Sequence, residues 1–161
     1  MKINFYKYQG AGNDFIIIDD RENLFFFFWL LIERLCNRRF GIGADGLILF
    51  KNEPGYDFKM VYFNSDGNES SMCGNGGRCI AKFSHDIGIK YQYNCFLAID
   101  GPHDFSITKD GMVRLKMKDI NAIEKAGDDY IMDTGSPHYV QFIDDIEKLK
   151  IVDEARKIRY N

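Results

Sequence analysis

The sequence predicts an α+β fold, and three observations carry this prediction. Alternating or continuous apolar runs predict several short strands, two other segments have the apolar spacing of helices, and strands and helices do not alternate regularly. That mixed order argues against a doubly wound nucleotide-binding fold. A chain of 161 residues with 45% apolar side chains has enough material for one globular core, or for one lobe of a larger enzyme.

The amino-terminal part predicts two strands joined by a turn. Residues 2–8 and 15–19 have strand patterns, and the second contains three consecutive isoleucines, which is typical of a strand buried on both faces. The glycine-rich cluster between them must form a turn. This cluster contains Gly10, Gly12 and Asn13.

A first helix of about three turns is predicted after an unusually apolar segment. Its apolar side chains recur at helical spacing at Ile32, Leu35, Cys36 and Phe40. Arg38 and Arg39 fall in the predicted last turn, where cations suit the helix dipole, and Gly41 can end the helix. The preceding run LFFFFWLLI has nine residues, far below the ~20 that cross a bilayer as a helix, so it is not a membrane span.

A strand and a second helix are predicted on either side of a glycine-rich segment. Residues 58–63 alternate with period two and then break into a polar turn at 64–67. Helical spacing resumes after the glycines, and Gly88 can end the helix. The apolar positions are Ile80, Phe83 and Ile87. This pattern predicts a helix over roughly residues 75–87, with Cys73 at its N-terminus.

The remainder of the chain is predicted to be mostly β. Residues 105–107 and 113–117 alternate on either side of an Asp110-Gly111 turn, which is a good hairpin signal. His138 follows a proline and precedes a strand-like pattern. Such an isolated histidine is more often structural, but it could also hold a proton for a cysteine.

Charge and composition favour a small ligand and exclude several classes of partner. The formal net charge is −3, and lysine and arginine are scattered rather than collected into a stripe. We therefore expect no nucleic-acid partner and no membrane surface, and a small polar or zwitterionic ligand fits better.

The four cysteines are predicted to be free thiols in a cytoplasmic protein. The chain opens without a secretory signal pattern, and no cysteine pair has the short spacing of a metal-binding or redox motif. Packing roles are assigned to Cys36, Cys79 and Cys95, and no metal site is predicted.

The segment MCGNGGRC, residues 72–79, is the densest candidate for chemistry. If its small residues begin a helix, the exposed backbone N–H groups and the helix dipole attract a carboxylate and lower the pKa of Cys73. The alternative is that Cys73 fills core space and that the glycines only form a tight turn. Both interpretations stay open on the residues alone.

Polar residues in glycine-rich turns have either a structural or a ligand-binding interpretation. An asparagine there either stabilises the turn or binds a ligand, and this applies to Asn13, Asn64 and Asn75. Asp45, in GIGADGL, could be a carboxylate catalyst, although its flanking glycines favour a turn residue that bonds its own backbone.

Five segments together resemble diaminopimelate epimerase in their order and spacing. They are GAGNDF (10–15), RRFGIGADGL (38–47), FNSDG (63–67), MCGNGGRC (72–79) and GSPHYV (135–140). The resemblance covers nearly the whole chain. It is specific, because proline racemase-like relatives share the cysteine–glycine element but lack GAGNDF and GIGADGL.

The resemblance implies a cofactor-independent epimerase that interconverts LL- and meso-diaminopimelate, in lysine and peptidoglycan precursor biosynthesis. Two cysteines would act as acid and base, without pyridoxal phosphate or any other cofactor. It also implies two pseudo-symmetric lobes, each a mixed, mostly antiparallel sheet wrapped around a central helix, with the substrate in the cleft between them. The implied partners are the amino-acid substrate and, as an open alternative, a second copy of the chain.

The resemblance also implies roles for individual residues. Cys73 matches one catalytic cysteine and His138 the histidine paired with it. The positions that match substrate-binding residues are Asn13, Asn64, Gly74 and Asn75. Gly46 stands where some members have a substrate-contacting glutamine, and Ser136 where many have an asparagine, so contacts from these two positions are in doubt.

The matching part corresponds to the amino-terminal lobe of a two-lobe epimerase. Residues 1–161 end before the second catalytic cysteine and its assisting glutamate, so we expect the chain alone to be inactive in epimerisation. The rival interpretation from another class is a non-catalytic carboxylate- or phosphate-binding module. No GK[ST] follows the glycines to support a nucleotide version of that module.

Overall fold

The computed structural model describes residues 2–26 and 28–160, and these residues form two compact units. The first unit comprises the chain up to residue 119 together with residues 134–136. The second comprises residues 120–133 and those from 137 onward. Phe27, which belongs to the apolar run before the first helix, lies outside the described residues.

The first unit contains seven strands and two helices. They are β1 (Tyr6–Gly10), β2 (Asn13–Asp19), α1 (Trp29–Cys36), β3 (Gly46–Lys51), β4 (Phe58–Asn64), α2 (Gly74–Asp86), β5 (Cys95–Ala98), β6 (Gly101–Ile107) and β7 (Val113–Leu115). The strands form one sheet in chain order, in which β2–β3 and β4–β5 are parallel and the other neighbours antiparallel. The predicted mixed, mostly antiparallel sheet is confirmed.

The second unit contains a three-stranded antiparallel sheet and a terminal helix. Its elements are β8 (Ile123–Ala126), β9 (Asp129–Asp133), β10 (Pro137–Val140), a short 3-10 helix (Ile146–Lys148) and α3 (Ile151–Arg159). Across the described ranges of both units, no helix is long and apolar enough to cross a membrane.

Helices α1 and α2 lie on opposite faces of the seven-stranded sheet. Ile16 and Ile18 of β2 pack with Ile32 of α1, whereas Ile17 packs on the other face with Phe83 of α2. The connection between two parallel neighbouring strands is almost always right-handed, and this rule explains the arrangement. The parallel pair β2–β3 runs in the opposite direction to the parallel pair β4–β5, because β3 and β4 are antiparallel. The connections β2–β3 and β4–β5 therefore pass over opposite faces. Strand β2 is covered on both sides, as its isoleucine run predicts.

The sheet curls around α2. This helix contacts β1, β2, β3, β4 and β7, so the two edge strands of the sheet both reach the same helix. Its bounds agree with the predicted helix within one residue at either end. The predicted central helix is confirmed, and the predicted hairpin is present as β6 and β7.

The first hairpin differs from the prediction in its bounds. Strand β1 begins at Tyr6, later than predicted, and Gly10 and Asn13 are the last facing pair rather than turn residues. The turn consists of Ala11 and Gly12, whose φ values are 55° and 83°. Positive φ at both central residues is the geometry of a two-residue hairpin loop, which matches the twist of the strands.

Helix α1 is shorter at its C-terminal end than the predicted three-turn helix. It ends at Cys36, because the Asn37 side chain accepts hydrogen bonds from the backbone N–H of Arg39 and Phe40, both at 2.9 Å. Asparagine makes such local bonds in competition with the helix. Arg38 and Arg39 consequently lie beyond the helix, which corrects the prediction that they occupy its last turn.

Arg38 instead joins an ion-pair network at the start of β2 and β3. Its guanidinium donates to Asp14 at 2.7 Å and to Asp45 at 2.8 Å, and Lys7 pairs with Asp14 at 2.7 Å. The Arg38 hydrogen bond is the largest cause that lowers the pKa of Asp14, partly opposed by burial. Lowered carboxyl pKa values mean that the ionised network contributes to folding stability.

We expect Phe83→Ala to lower the free energy of unfolding by about 3–5 kcal/mol, because it removes a fully buried ring from the α2–sheet interface. Urea denaturation followed by circular dichroism measures the change. The matched control is Phe40→Ala, since Phe40 is 82% exposed and should change stability by no more than about 0.5 kcal/mol. Equal losses for the two variants would contradict the assigned core.

We expect Arg38→Gln to lower the urea midpoint at pH 7, with the difference from wild type shrinking as the pH falls below about 4. The folded carboxyl pKa values are depressed, so this stability is present above the unfolded pKa and is lost as pH falls through the folded values. Parallel urea titrations at pH 7 and pH 3 measure it. Arg39→Gln is the control, because Arg39 has no ion pair among the described residues. A pH-independent effect of Arg38→Gln would reject the network's role.

Candidate active site around Cys73

Cys73 lies at the N-terminus of α2, as the sequence predicts. It is the residue immediately before the helix, with extended backbone dihedrals of −111° and 117°, and its side chain does not cap the helix. The first N–H groups of a helix have no partner within it, and they attract negative charge. The half-buried thiol therefore lies beside a potential anion-binding helix start.

The glycines after Cys73 allow α2 to approach the sheet closely. A Cβ on Gly76 would lie 3.0 Å from Met60 Cε and 3.2 Å from Ile48 Cδ1, tighter than normal packing. A Cβ on Gly10 of β1 would likewise lie 3.3 Å from the carbonyl oxygen of Asn75. From sequence alone, the segment MCGNGGRC is interpreted as a tight turn or as a source of exposed backbone N–H groups. The structure adds a third reason for its small residues, which is the close packing of α2 on the sheet.

Asn13 and Asn75 converge on the thiol. The Cys73 S–H donates to Asn13 Oδ1 with a sulfur–oxygen distance of 3.6 Å, and Asn75 Nδ2 donates to the same oxygen at 3.4 Å. Arg78, one turn along α2, donates to Asn75 Oδ1. The structure thus brings together three of the predicted site residues from two separate segments.

Asp45 holds the other end of the Asn13 amide. Its Oδ2 accepts from Asn13 Nδ2 at 2.9 Å and from the Asp14 backbone N–H at 3.1 Å, while its Oδ1 accepts from Arg38. The Asn13 hydrogen bond is the largest cause that lowers the pKa of Asp45. The observed partners of this carboxylate therefore lie on β2 and after α1, rather than in its own turn.

Asn64 ends strand β4 and is oriented by Tyr62. The Tyr62 hydroxyl donates to Asn64 Oδ1 at 2.9 Å, and burial raises the pKa of Tyr62 to about 12. Gly46 is the residue directly opposite Asn64 on β3. A Cβ at Gly46 would lie 2.5 Å from both the Phe63 carbonyl oxygen and the Tyr62 ring. No side chain fits at Gly46 in this arrangement, and the tyrosine ring occupies that space.

The remaining predicted residues lie at three different places. Gly74 is the first residue of α2, where a Cβ would meet only the side chain of Met117 and the end of Arg78. Ser136 belongs to the first unit, and its hydroxyl lies 2.6 Å from that of Ser71. His138 lies on β10 in the second unit, so its pairing with Cys73 stays a prediction.

The other three cysteines differ from Cys73 in their surroundings. Burial raises the pKa of Cys36 and of Cys79 to about 11, and each packs in one of the two core clusters. Burial also raises the pKa of Cys95, which is half-buried on β5. Within the described part of the chain, no group of three or more His, Cys, Asp or Glu side chains could hold a metal ion.

Sequence reasoning missed the connections among these residues more than the residues themselves. The sequence allows Asp45 to be a catalyst or a turn residue, because its bond to Asn13 depends on the parallel register of β2 and β3. That register places Phe15 opposite Gly46, and therefore Asp14 beside Asp45. Aligning the apolar runs of the two strands is the signal that could have found this contact.

Two solved structures share the fold. A PhzF-family phenazine biosynthesis protein of Bacillus anthracis matches with a TM-score of 0.55 and 18% identity, over 77% of this chain and 43% of that chain. Methylitaconate-delta-isomerase matches with a TM-score of 0.50 and 13% identity, over 82% of this chain and 71% of that chain. At these identities the likeness concerns the fold alone.

Sequence relatives are closer. A diaminopimelate epimerase of Flavobacterium psychrophilum is 48% identical over 160 residues, which cover 99% of this chain and 62% of the relative. That of Chlorobaculum tepidum is 41% identical, over 95% of this chain and 62% of the relative. The chain thus spans about 62% of the length of these relatives. Because residues 5–122 also match the family profile described as diaminopimelate epimerase, the chain belongs to the diaminopimelate epimerase family.

Proposed function

We propose that this chain forms the amino-terminal lobe of a cytoplasmic epimerase that interconverts LL- and meso-diaminopimelate, within lysine and peptidoglycan precursor biosynthesis. The observation that carries the proposal is the position of Cys73. Its thiol lies at the start of α2 and contacts Asn13, which in turn contacts Asn75. A proton donor or acceptor is thereby placed beside groups suited to binding an amino acid.

In this proposal the start of α2 binds the substrate's α-carboxylate. The backbone N–H groups of Gly74 and Asn75 belong to the first turn, where the helix dipole favours negative charge. The same dipole would stabilise charge that develops on the carboxylate as the α-proton leaves, which replaces the electron sink of a pyridoxal cofactor. The side chains of Asn13 and Asn64 would bind the remaining polar groups of the substrate.

Inversion requires a base on one face of the α-carbon and an acid on the other. A thiolate breaks the C–H bond by taking the α-proton, and a thiol on the opposite face forms the new C–H bond by giving its own proton. Cys73 would serve one face, with His138 paired to it. The second cysteine would come from the part of the relatives that this chain does not span, so residues 1–161 alone would not complete the inversion.

We expect Cys73 to be alkylated by iodoacetamide faster than the other cysteines, and to be shielded by diaminopimelate. Cys36 and Cys79 are buried and have raised pKa values, so they should react slowly. Cys95 is the matched control, because it is also half-buried but lies on β5. Peptide mass spectrometry measures each rate. Shielding by inorganic phosphate and diaminopimelate alike would favour the non-catalytic anion-binding module instead.

We expect Cys73→Ser to lower epimerisation at least about 100-fold in a fusion of this chain to the second lobe of the Flavobacterium psychrophilum relative. A serine hydroxyl is a far poorer base near neutral pH, whereas its size should leave folding intact. Exchange of the α-proton with solvent deuterium and inversion are measured together, with Cys95→Ser as the control. Unreduced turnover in Cys73→Ser, or efficient inversion by residues 1–161 alone, would refute the two-lobe mechanism.

A further inference from the structure

Five side chains form a hydrogen-bonded chain whose direction is fixed at both ends by arginines. Arg78 donates to Asn75, Asn75 donates to Asn13, and Asn13 donates to Asp45. At the other end, Arg38 donates to the second oxygen of Asp45. A guanidinium can only donate and a carboxylate can only accept, so the two amides between them have one consistent orientation.

The orientation of Asn13 decides what faces the Cys73 sulfur. With Nδ2 bound to Asp45, the amide oxygen accepts the S–H of Cys73. A flipped amide would place its oxygen against Asp45 Oδ2, so that two acceptors met, and its NH2 group against Asn75 Nδ2, so that two donors met. The carboxylate therefore excludes the flipped state in which a donor faces the sulfur.

We propose that Asp45 is a positioning residue that acts on Cys73 through Asn13, by holding the Asn13 carbonyl oxygen toward the thiol. The inference rests on the proposed function in taking Cys73 as the acid or base. A hydrogen bond from S–H to an amide oxygen exists only while the sulfur is protonated, so it favours the thiol over the thiolate. The Asn13 oxygen thus gives the S–H of Cys73 a fixed acceptor.

Asp45 can do this because it links β2 to the segment that follows α1. Its backbone N–H donates to the carbonyl of Asp14 at 2.9 Å, which ties it to β2, and its side chain bonds Asn13 and Arg38. A carboxylate is needed here, since both of its oxygens accept from donors that approach on different sides. The Asp45 side chain is 43% exposed, so its role does not depend on core packing.

Two titratable groups that interact electrostatically with Cys73 do not ionise near neutral pH. They are Tyr62 on β4 and Cys79 on α2, and burial raises their pKa values to about 12 and about 11. The charged groups on the Asn13 side are Asp14, Asp45 and Arg38. A pH profile of Cys73 alkylation between pH 6 and 10 therefore reports on Cys73 and on this charged cluster.

The test is a double-mutant cycle that combines Asp45→Ala with Asn13→Ala. In the chain with Asn13 present, Asp45→Ala frees the amide to turn a donor toward the sulfur, and the pH midpoint of Cys73 alkylation should fall by roughly 0.5–1 unit. In the Asn13→Ala background the same substitution should shift the midpoint by much less, because no amide remains to be oriented. An equal shift in both backgrounds would show that Asp45 acts by its charge alone, and would overturn the proposal.

A second measurement needs no substitution, and so stands even if a variant does not fold. In the 15N-labelled chain at pH 7, one Nδ2 proton of Asn13 should be shifted downfield and exchange slowly, because it donates to a carboxylate. Free-amide shifts and fast exchange would overturn the proposal. Neither readout uses diaminopimelate, so failure of substrate shielding at Cys73 would count against the proposed function and not against the action of Asp45.

Discussion

Helix α2 approaches the sheet at positions where a side chain would collide with its neighbours, and this close approach determines where Cys73 lies. Gly76 packs on the ends of Met60 and Ile48, and Gly10 of β1 packs on the first turn of the helix. Glycine inside a helix costs about 1 kcal/mol relative to alanine. That cost is offset by the burial of Phe83 and its neighbours against a sheet that curls around the helix. The start of α2 is thereby brought beside Asn13, the first residue of β2.

The polar chain from Arg78 to Arg38 complements this packing. Helix–sheet contact sets the distance between Asn75 and Asn13, and the parallel pairing of β2 with β3 sets the distance between Asn13 and Asp45. Each amide in the chain has a donor on one side and an acceptor on the other, so neither is free to flip. The thiol therefore faces a defined group, although it lies only at the edge of the core.

The elements that depend on local pattern could be predicted from the sequence, and the contacts that depend on strand register could not. The spacing of Ile80, Phe83 and Ile87 was enough to place α2, and hence Cys73 at its start. The end of α1 was misplaced, because Gly41 is a strong stop signal in sequence, whereas the Asn37 side chain ends the helix one turn earlier. The partner of Asp45 was missed because it lies on another strand.

At Gly46, a side chain from the neighbouring strand β4 occupies the space that a larger residue would need. The resemblance implies a glutamine at this position in some members of the family, whereas in this chain a Cβ at Gly46 would collide with the Phe63 carbonyl oxygen. The space beside Asn64 is filled instead by the ring of Tyr62, whose hydroxyl bonds the Asn64 amide oxygen. Because burial raises the pKa of Tyr62, this hydroxyl stays protonated and can only donate to that oxygen. The NH2 group of Asn64 is therefore left as the part of the amide that Tyr62 does not engage.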